Sequence, residues 1–258
     1  MNVLSKLDRF YRDFNGEKFI IGKSLLNKPL YCFKVQKTYF PKVIVQYAIH
    51  AREHITTLLA LEQIREFTKF GRYGTVYFIP ATNPDGIEIC LSGKPLYKAN
   101  ARGVDLNVNF DAKWGTGKSN VKKASDSDFI GEFPFSEPET RALRDFTLAV
   151  KPQATISYHC KGEEIYWEFF QKQKFAIKDK EIALSLAKVT GYTVKRTPDS
   201  AGGYKDWCIE KLKIPAFTIE VASDLLSHPI GEENLREVFA RNKAVIPTLI
   251  DNLRRKYE

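Results

Sequence analysis

The sequence has few cysteines and no long apolar run, and both absences narrow what the protein can be. Its four cysteines form no CxxC pair, so neither a zinc knuckle nor a dense disulfide framework is indicated. The longest nearly apolar stretch, residues 43–49, contains Gln46 and is far too short to cross a bilayer. The charged N-terminus lacks the apolar segment of a signal peptide. We therefore expect no membrane insertion, reduced thiols and a cytoplasmic location.

The sequence is not short of positive charge. It contains 40 Lys and Arg against 31 Asp and Glu, which gives a formal net charge of +9. The basic residues are scattered among acids, as where KSNVKK is followed by DSDFIGE, and this pattern does not favour a nucleic-acid surface. A cleft for a small substrate rich in carboxylates explains the excess equally well. We expect no nucleic-acid partner, and nothing in the sequence indicates a protein partner.

The order of predicted elements indicates an α/β protein. With 258 residues, 43% of them hydrophobic, the chain can bury a sizeable core, and no linker divides it. Hydrophobic patterning predicts strands at 42–49, 74–80, 153–158 and 216–221, and helices at 56–70, 136–150, 180–190, 204–212 and 235–253. Ser136 and Glu139 predict a capping box for the helix at 136–150. We expect one domain over 1–258, with helices on both faces of a mixed or mostly parallel sheet.

Three side chains have the types and positions of metal ligands. His50 and Glu53 are three residues apart where a strand ends and a helix begins, a spacing that brings both to one side of a helical turn. Alone this pair is weak, because a surface ion pair has the same spacing. His159 ends another predicted strand, and strand ends in an open α/β sheet meet at its carboxyl edge. Two histidines and one carboxylate leave a position on zinc for water, as hydrolytic zinc sites require.

A hydrolytic site also needs a carboxylate that does not bind the metal, and Glu220 is the candidate. It lies near the end of the predicted strand AFTIEV among apolar neighbours. Because an unpaired carboxylate is costly to bury, this placement favours a functional role. The alternative is a structural ion pair with a buried Arg or Lys.

Taken together, these residues resemble the zinc carboxypeptidase family. The resemblance is carried, in order along the chain, by IHAREH, TNPDG, ARGVDLNVNF, the strand-end His159, AGGYKDW and FTIEV. It extends from about residue 42 to the C-terminal helix. It implies a single α/β/α domain with a mixed, roughly eight-stranded sheet, one Zn²⁺ bound by His50, Glu53 and His159, and Glu220 as general base and acid.

The resemblance also implies roles for three further residues. Arg52 would belong to the substrate cleft, and Arg102 would polarise the scissile carbonyl and stabilise the oxyanion. Asn107 would bind a substrate carboxylate. Carboxypeptidases usually follow that asparagine with an arginine that grips the free C-terminal carboxylate, whereas here the next residue is Val108. The bidentate fork is therefore missing at this position, and ordinary removal of C-terminal residues is in doubt.

The segments SYHCKGEEIYW, SEPET, NVNFDAKWGTG and AGGYKDW are similar to the bacterial branch that cleaves γ-D-glutamyl-diaminopimelate bonds in peptidoglycan stem peptides. Such substrates carry several carboxylates, for which Lys98, Lys161 and Lys205 are candidate contacts, the alternative for each being a solvated surface lysine. The sequence thus predicts a zinc metallopeptidase that acts on a small peptide or muropeptide. Two alternatives stay open: a metallocarboxypeptidase of atypical specificity, and a muropeptide-binding module without activity.

Overall fold

The centre of the molecule is a mixed eight-stranded sheet. The computed structural model describes residues 1–255. Along the chain the strands are β1 (Glu17–Lys23), β2 (Pro29–Gln36), β3 (Lys42–Tyr47), β4 (Thr75–Ile79), β5 (Ala154–Cys160), β6 (Glu164–Tyr166), β7 (Thr193–Lys195) and β8 (Ala216–Val221). Their order across the sheet is β1-β2-β4-β3-β5-β8-β6-β7. The neighbouring strands β4, β3, β5 and β8 run parallel, so the carboxyl ends of β3, β5 and β8 lie at one edge.

Eight helices connect or flank these strands within residues 1–255. They are α1 (Val3–Asp13), α2 (Ile55–Phe70), α3 (Pro84–Leu91), α4 (Pro138–Val150), α5 (Gln173–Thr190), α6 (Tyr204–Trp207), α7 (Leu235–Asn242) and α8 (Val245–Arg255). The short helix α6 continues into a wider turn at Cys208–Leu212. In this part of the chain no helix combines the length and the apolar character needed to cross a membrane.

The two faces of the sheet are covered by separate apolar layers. On β3, Val43 and Val45 belong to the layer that includes Leu59 of α2 and Leu249 of α8. The intervening Ile44 belongs to the opposite layer, which includes Leu143 of α4 and Trp207 of α6. This alternation follows from the two-residue period of a strand, which turns successive side chains to opposite faces. The α/β/α fold class expected from the sequence is confirmed.

Local differences from the expected elements have identifiable causes. The predicted capping box at Ser136 is wrong, because the Ser136 hydroxyl donates to Glu137 Oε1 at 2.8 Å and Glu137 is the cap residue. The Glu139 carboxylate accepts the Leu25 N–H at 2.9 Å. The predicted C-terminal helix is broken into α7 and α8 between Asn242 and Val245. Tertiary contacts therefore determine where these helices begin and end, and the ends differ from those that local sequence patterns predicted.

Candidate metal centre and substrate cavity

The three predicted ligands and Glu220 meet at the carboxyl edge of the parallel strands. His50 follows β3 and caps the turn Ala51–Glu53, which places the Glu53 side chain next to it. His159 lies in β5, and Glu220 is its direct partner in the neighbouring strand β8. Residues paired across two strands project from the same face, so the sheet register brings His159 and Glu220 to one side.

His50, Glu53 and His159 form a buried cluster with the spacing of a metal site. His50 Nδ1 lies 2.8 Å from Glu53 Oε1, and His159 Nδ1 lies 3.1 Å from Glu53 Oε2. The two Nδ1 atoms are 3.1 Å apart. One ligand atom from each residue lies within 4.8 Å of the others. Two imidazole nitrogens and a carboxylate that converge in this way suit Zn²⁺ with an open fourth position.

A second set of polar groups orients the two imidazoles. His50 Nε2 lies 3.2 Å from Asp105 Oδ1, and the Lys98 ammonium lies 2.7 Å from Asp105 Oδ2. On the other side, His159 Nε2 lies 3.3 Å from the Ser157 hydroxyl. A carboxylate on the outer nitrogen keeps the proton there and leaves the Nδ1 lone pair for a metal. The hydrogen-bond partners of the two histidines thus leave their Nδ1 atoms free to bind a metal ion.

The charges of the cluster favour one added positive charge. Burial by itself lowers the pKa of His50, but the carboxylates of Glu53 and Asp105 outweigh it and raise that pKa to about 9. Burial would likewise raise the pKa of Asp105, yet Lys98 and His50 hold it well below its usual range. Two ionised carboxylates next to the imidazoles therefore stabilise a positive charge at this position, and a bound metal ion would supply it.

Glu220 experiences the opposite balance. Burial raises the pKa of Glu220 well above the usual range, and the charge of Glu53 raises it further. The raised pKa favours the protonated form of Glu220, and a buried carboxyl beside a metal site is a candidate for proton transfer.

A cavity of about 270 Å³ opens onto His50, His159 and Glu220. Most of its remaining wall comes from the segment between Cys90 and Phe135 and from residues 197–206. Two lysines and five acidic residues line it: Lys98, Lys205, Asp105, Asp128, Asp199, Asp206 and Glu220. The cavity is therefore not the generally basic cleft that the net charge suggested, and its lysines lie within a mixture of both signs.

Of the other predicted site residues, Asn107 lines the cavity, whereas Arg52 and Arg102 do not. Asn107 lines it, and Asn107 Oδ1 accepts the Tyr204 N–H at 3.2 Å. Arg52 is not among the lining residues, and its buried Nε has no hydrogen-bond partner within residues 1–255. Arg102 also lies outside the cavity wall, with half of its side chain exposed and its guanidinium 3.5 Å from Glu137 Oε1.

A tight turn explains the placement of Arg102. Asn100 Oδ1 accepts the N–H groups of Arg102 and Val104, each at 3.0 Å, and Gly103 has a φ of +76°. Arg102 is therefore held within a tight loop, while Lys98 and Asp105 lie on either side of it in sequence and pair with each other. Lys98 lines the cavity where the sequence had suggested Arg102. The sequence signal for Asp105 was an acid between two apolar residues, the same signal that singled out Glu220.

The wall around Asn107 depends on a close backbone contact. Gly202 has a φ of +85°, and a Cβ atom there would lie 2.8 Å from the Val108 carbonyl oxygen. The Phe110 N–H donates to the Gly202 carbonyl at 2.9 Å. Only glycine tolerates both the conformation and the approach. The AGG segment is thereby packed against Asn107 and Val108.

Asp105→Asn should weaken zinc binding about 10–100-fold, because the outer carboxylate that orients His50 is lost while the ligands remain. The measurement is a zinc titration against a competing chelator. Asp251→Asn on the exposed face of α8 is the matched control and should bind zinc as the wild type does. Unchanged affinity in Asp105→Asn would contradict the assigned role of Asp105.

Comparison with known proteins agrees with this geometry. A family model described as zinc carboxypeptidase matches residues 14–237. The chain is 29% identical over 277 residues to gamma-D-glutamyl-L-diamino acid endopeptidase 1 of Lysinibacillus sphaericus, covering 90% of this chain and 66% of the relative. It is 28% identical over 210 residues to murein peptide amidase A of Escherichia coli K12, covering 77% and 78%. The chain thus spans just under two thirds of the length of the first relative.

A solved structure of bovine thrombin-activatable fibrinolysis inhibitor, in complex with tick carboxypeptidase inhibitor, has the same fold. It superimposes with a TM-score of 0.84 over 98% of this chain and 95% of that one, at 22% sequence identity.

Proposed function

The chain belongs to the zinc carboxypeptidase family of metallopeptidases, and on that premise we propose that it hydrolyses amide bonds of peptidoglycan stem peptides, at the bond between γ-D-glutamate and a diamino acid. The observation that carries this substrate is Val108, which lines the cavity next to Asn107 where an arginine would grip a C-terminal carboxylate. No arginine lines the cavity within residues 1–255. Two relatives bear names for enzymes of murein peptides or γ-D-glutamyl bonds, which supports the same substrate.

The protein uses one zinc ion, and the residues proposed to hold it are His50, Glu53 and His159. When bound, the ion supplies a Lewis acid that activates water and polarises the amide carbonyl. Asp105 keeps the His50 ring oriented, and the Ser157 hydroxyl does the same for His159.

Glu220 is the proposed general base and acid. Its carboxylate takes a proton from the attacking water as the new C–O bond forms. The resulting carboxylic acid then gives this proton to the leaving amine as the C–N bond breaks, so Glu220 returns to its starting state. The raised pKa of Glu220 favours the protonated form, which is the form that donates to the leaving amine.

Lys98 is the proposed cation for the oxygen that becomes negative in the transition state. It lines the cavity with the ligands and is fixed by Asp105 at 2.7 Å and Asp128 at 3.0 Å. Two of its three N–H donors are thus occupied and one is left for substrate. The family resemblance implied this role for Arg102, whose guanidinium lies outside the cavity wall and 3.5 Å from Glu137 Oε1.

Asn107 and Arg52 are the proposed substrate-binding residues. Asn107 faces the cavity and would donate its amide to a substrate oxygen. Arg52 lies in the turn between the two ligands His50 and Glu53, and this position next to the metal site is what supports its proposed role.

A second candidate function is a carboxypeptidase of atypical specificity, favoured by the presence of Asn107 in the cavity. Matched peptides with free and amidated C-termini separate the two, because only an exopeptidase should require the free main-chain carboxylate. An inactive binding module, the remaining alternative, would bind these peptides and cleave none.

We infer a cytoplasmic location from the four cysteines, all of which are buried and free of disulfides. Fractionation of cells producing the tagged chain tests this, and recovery outside the cytoplasm would contradict it.

Glu220→Gln should abolish cleavage of a defined stem tripeptide and tetrapeptide while one zinc per chain stays bound. The reason is that glutamine cannot accept the proton of water, whereas the metal ligands are untouched. Mass spectrometry of the products identifies the broken bond, and metal analysis gives the zinc content. Hydrolysis at the wild-type rate would show that Glu220 is not the base.

Lys98→Met should lower kcat about 10²–10³-fold, the usual effect of removing one oxyanion donor. Arg102→Met, compared under the same conditions, should have a much smaller effect because that side chain lies outside the cavity wall. Steady-state kinetics on the stem tripeptide, with melting temperatures to confirm folding, gives both values. The reverse order of effects would restore Arg102 as the catalytic cation.

A further inference from the structure

A buried glutamine in the centre of the sheet has no part in the proposed catalytic steps. Gln46 lies in β3 between Val45 and Tyr47 and is fully buried. A buried amide is costly unless its donor and acceptor atoms are hydrogen-bonded. The partners of the Gln46 amide therefore indicate why a polar side chain occupies this position in a central strand.

The Gln46 amide is hydrogen-bonded to two hydroxyl groups. Gln46 and Ser157 are direct partners in the parallel strands β3 and β5, and Gln46 Nε2 donates to Ser157 Oγ. On the other side of the amide, Gln46 Oε1 accepts from the Thr82 hydroxyl at 2.9 Å. Thr82 is itself fixed, because its N–H donates to the Tyr47 carbonyl at 3.0 Å. Both ends of the amide are thus held in place.

Ser157 connects this amide to the metal centre. Ser157 Oγ lies 3.3 Å from His159 Nε2, and the two residues are two positions apart in β5. Side chains two positions apart in a strand lie on the same face, as do those paired across strands. The hydrogen bonds therefore run without a break from Thr82 to the proposed zinc ligand His159.

The two imidazoles differ in the kind of group at their outer nitrogen. Asp105 at His50 is an ionised carboxylate, which can only accept, so it keeps the proton on His50 Nε2. A serine hydroxyl can accept or donate, and a proton donated by Ser157 would favour the His159 tautomer that is protonated on Nδ1. That tautomer offers a metal no lone pair at Nδ1. The orientation of the Ser157 hydroxyl therefore matters to His159.

We propose that Gln46 is a positioning residue for the zinc ligand His159. By donating to Ser157 Oγ, the Gln46 amide holds that oxygen as an acceptor for the Nε2–H of His159, which leaves the Nδ1 lone pair for the ion. A hydroxyl oxygen has two acceptor sites, one for Gln46 and one for His159. Thr82 acts one step further out by fixing the amide. The inference rests on the proposed function, since it concerns the zinc site of the same reaction.

The test is zinc affinity, measured by titration against a competing chelator. Gln46→Met removes the amide while nearly keeping the volume, and it should raise the zinc Kd about 10-fold, the lower end of the range for outer partners of a ligand. Gln63→Met is the matched control. Gln63 is a buried glutamine of α2 whose amide bonds the hydroxyls of Tyr47 and Tyr158 instead. This variant should lose stability and leave the zinc Kd unchanged.

A double-mutant cycle separates an effect through Ser157 from a general effect on packing. In the Ser157→Ala background, Gln46→Met should raise the zinc Kd by less than about twofold, because the group through which Gln46 acts is absent. An effect of Gln46→Met that is as large in this background as in the wild type would overturn the inference. An unchanged Kd in Gln46→Met alone would do the same.

NMR of the ring N–H groups in the zinc-loaded protein gives a second readout. The signal of His159 Nε2–H reports the hydrogen bond to Ser157, and in Gln46→Met it should shift and exchange faster with water. The signal of His50 Nε2–H reports the hydrogen bond to Asp105 and should stay the same, so it is an internal reference. A His159 signal that does not change would contradict the proposed role of Gln46.

Thr82→Val is a second variant, for the case that Gln46→Met does not fold. It removes the hydroxyl that holds Gln46 Oε1 and should raise the zinc Kd about threefold, since it acts one hydrogen bond further from the ligand. An unchanged Kd together with an unchanged His159 signal would likewise overturn the inference. Failure of the wild-type enzyme to hydrolyse the stem peptides would instead overturn the proposed function, while the zinc Kd values would still report on Gln46.

Discussion

The structure depends on a buried carboxylate, Glu53, held between two imidazoles at the end of the central strands. A buried carboxylate without a compensating charge is strongly unfavourable. His50 and His159 lie within 3.1 Å of Glu53, and Asp105 and Lys98 continue the alternation of charge outward from His50. This arrangement needs β3 and β5 side by side in fixed register, because a slip of one residue would turn His159 to the opposite face.

The proposed catalytic and substrate-binding parts of the site come from different kinds of structure. The ligands and Glu220 lie on or next to parallel strands of the sheet, where backbone hydrogen bonds hold their positions. The cavity wall comes instead from the long segment after α3 and from residues 197–206, where turns predominate. Rigid strands suit the metal and proton transfer, and the loops can differ between relatives without disturbing them. Val108 and Lys205 both belong to this wall.

The distribution of charge corrects a simple interpretation of the composition. The net charge of +9 suggested a basic cleft, yet five of the seven charged residues that line the cavity are acidic. Each lysine there is fixed by a carboxylate, as Lys98 is by Asp105 and Lys205 by Asp206. Substrate selectivity in such a cavity depends on the positions of individual hydrogen-bond donors and not on the sign of the protein's net charge.

The sequence by itself determined the α/β class, the strand AFTIEV and the grouping of His50, Glu53, His159 and Glu220. These followed from short-range patterns, namely hydrophobic periodicity and polar residues at strand ends. Only the tertiary structure decided that Lys98 reaches the cavity and that Arg102 does not. Asp105 and Lys98 are seven residues apart, and their contact is made by the intervening turn held by Asn100. The hydrogen bond from the Tyr204 N–H to Asn107 Oδ1 likewise joins segments about a hundred residues apart. Such contacts arise from chain packing, which local sequence patterns do not encode.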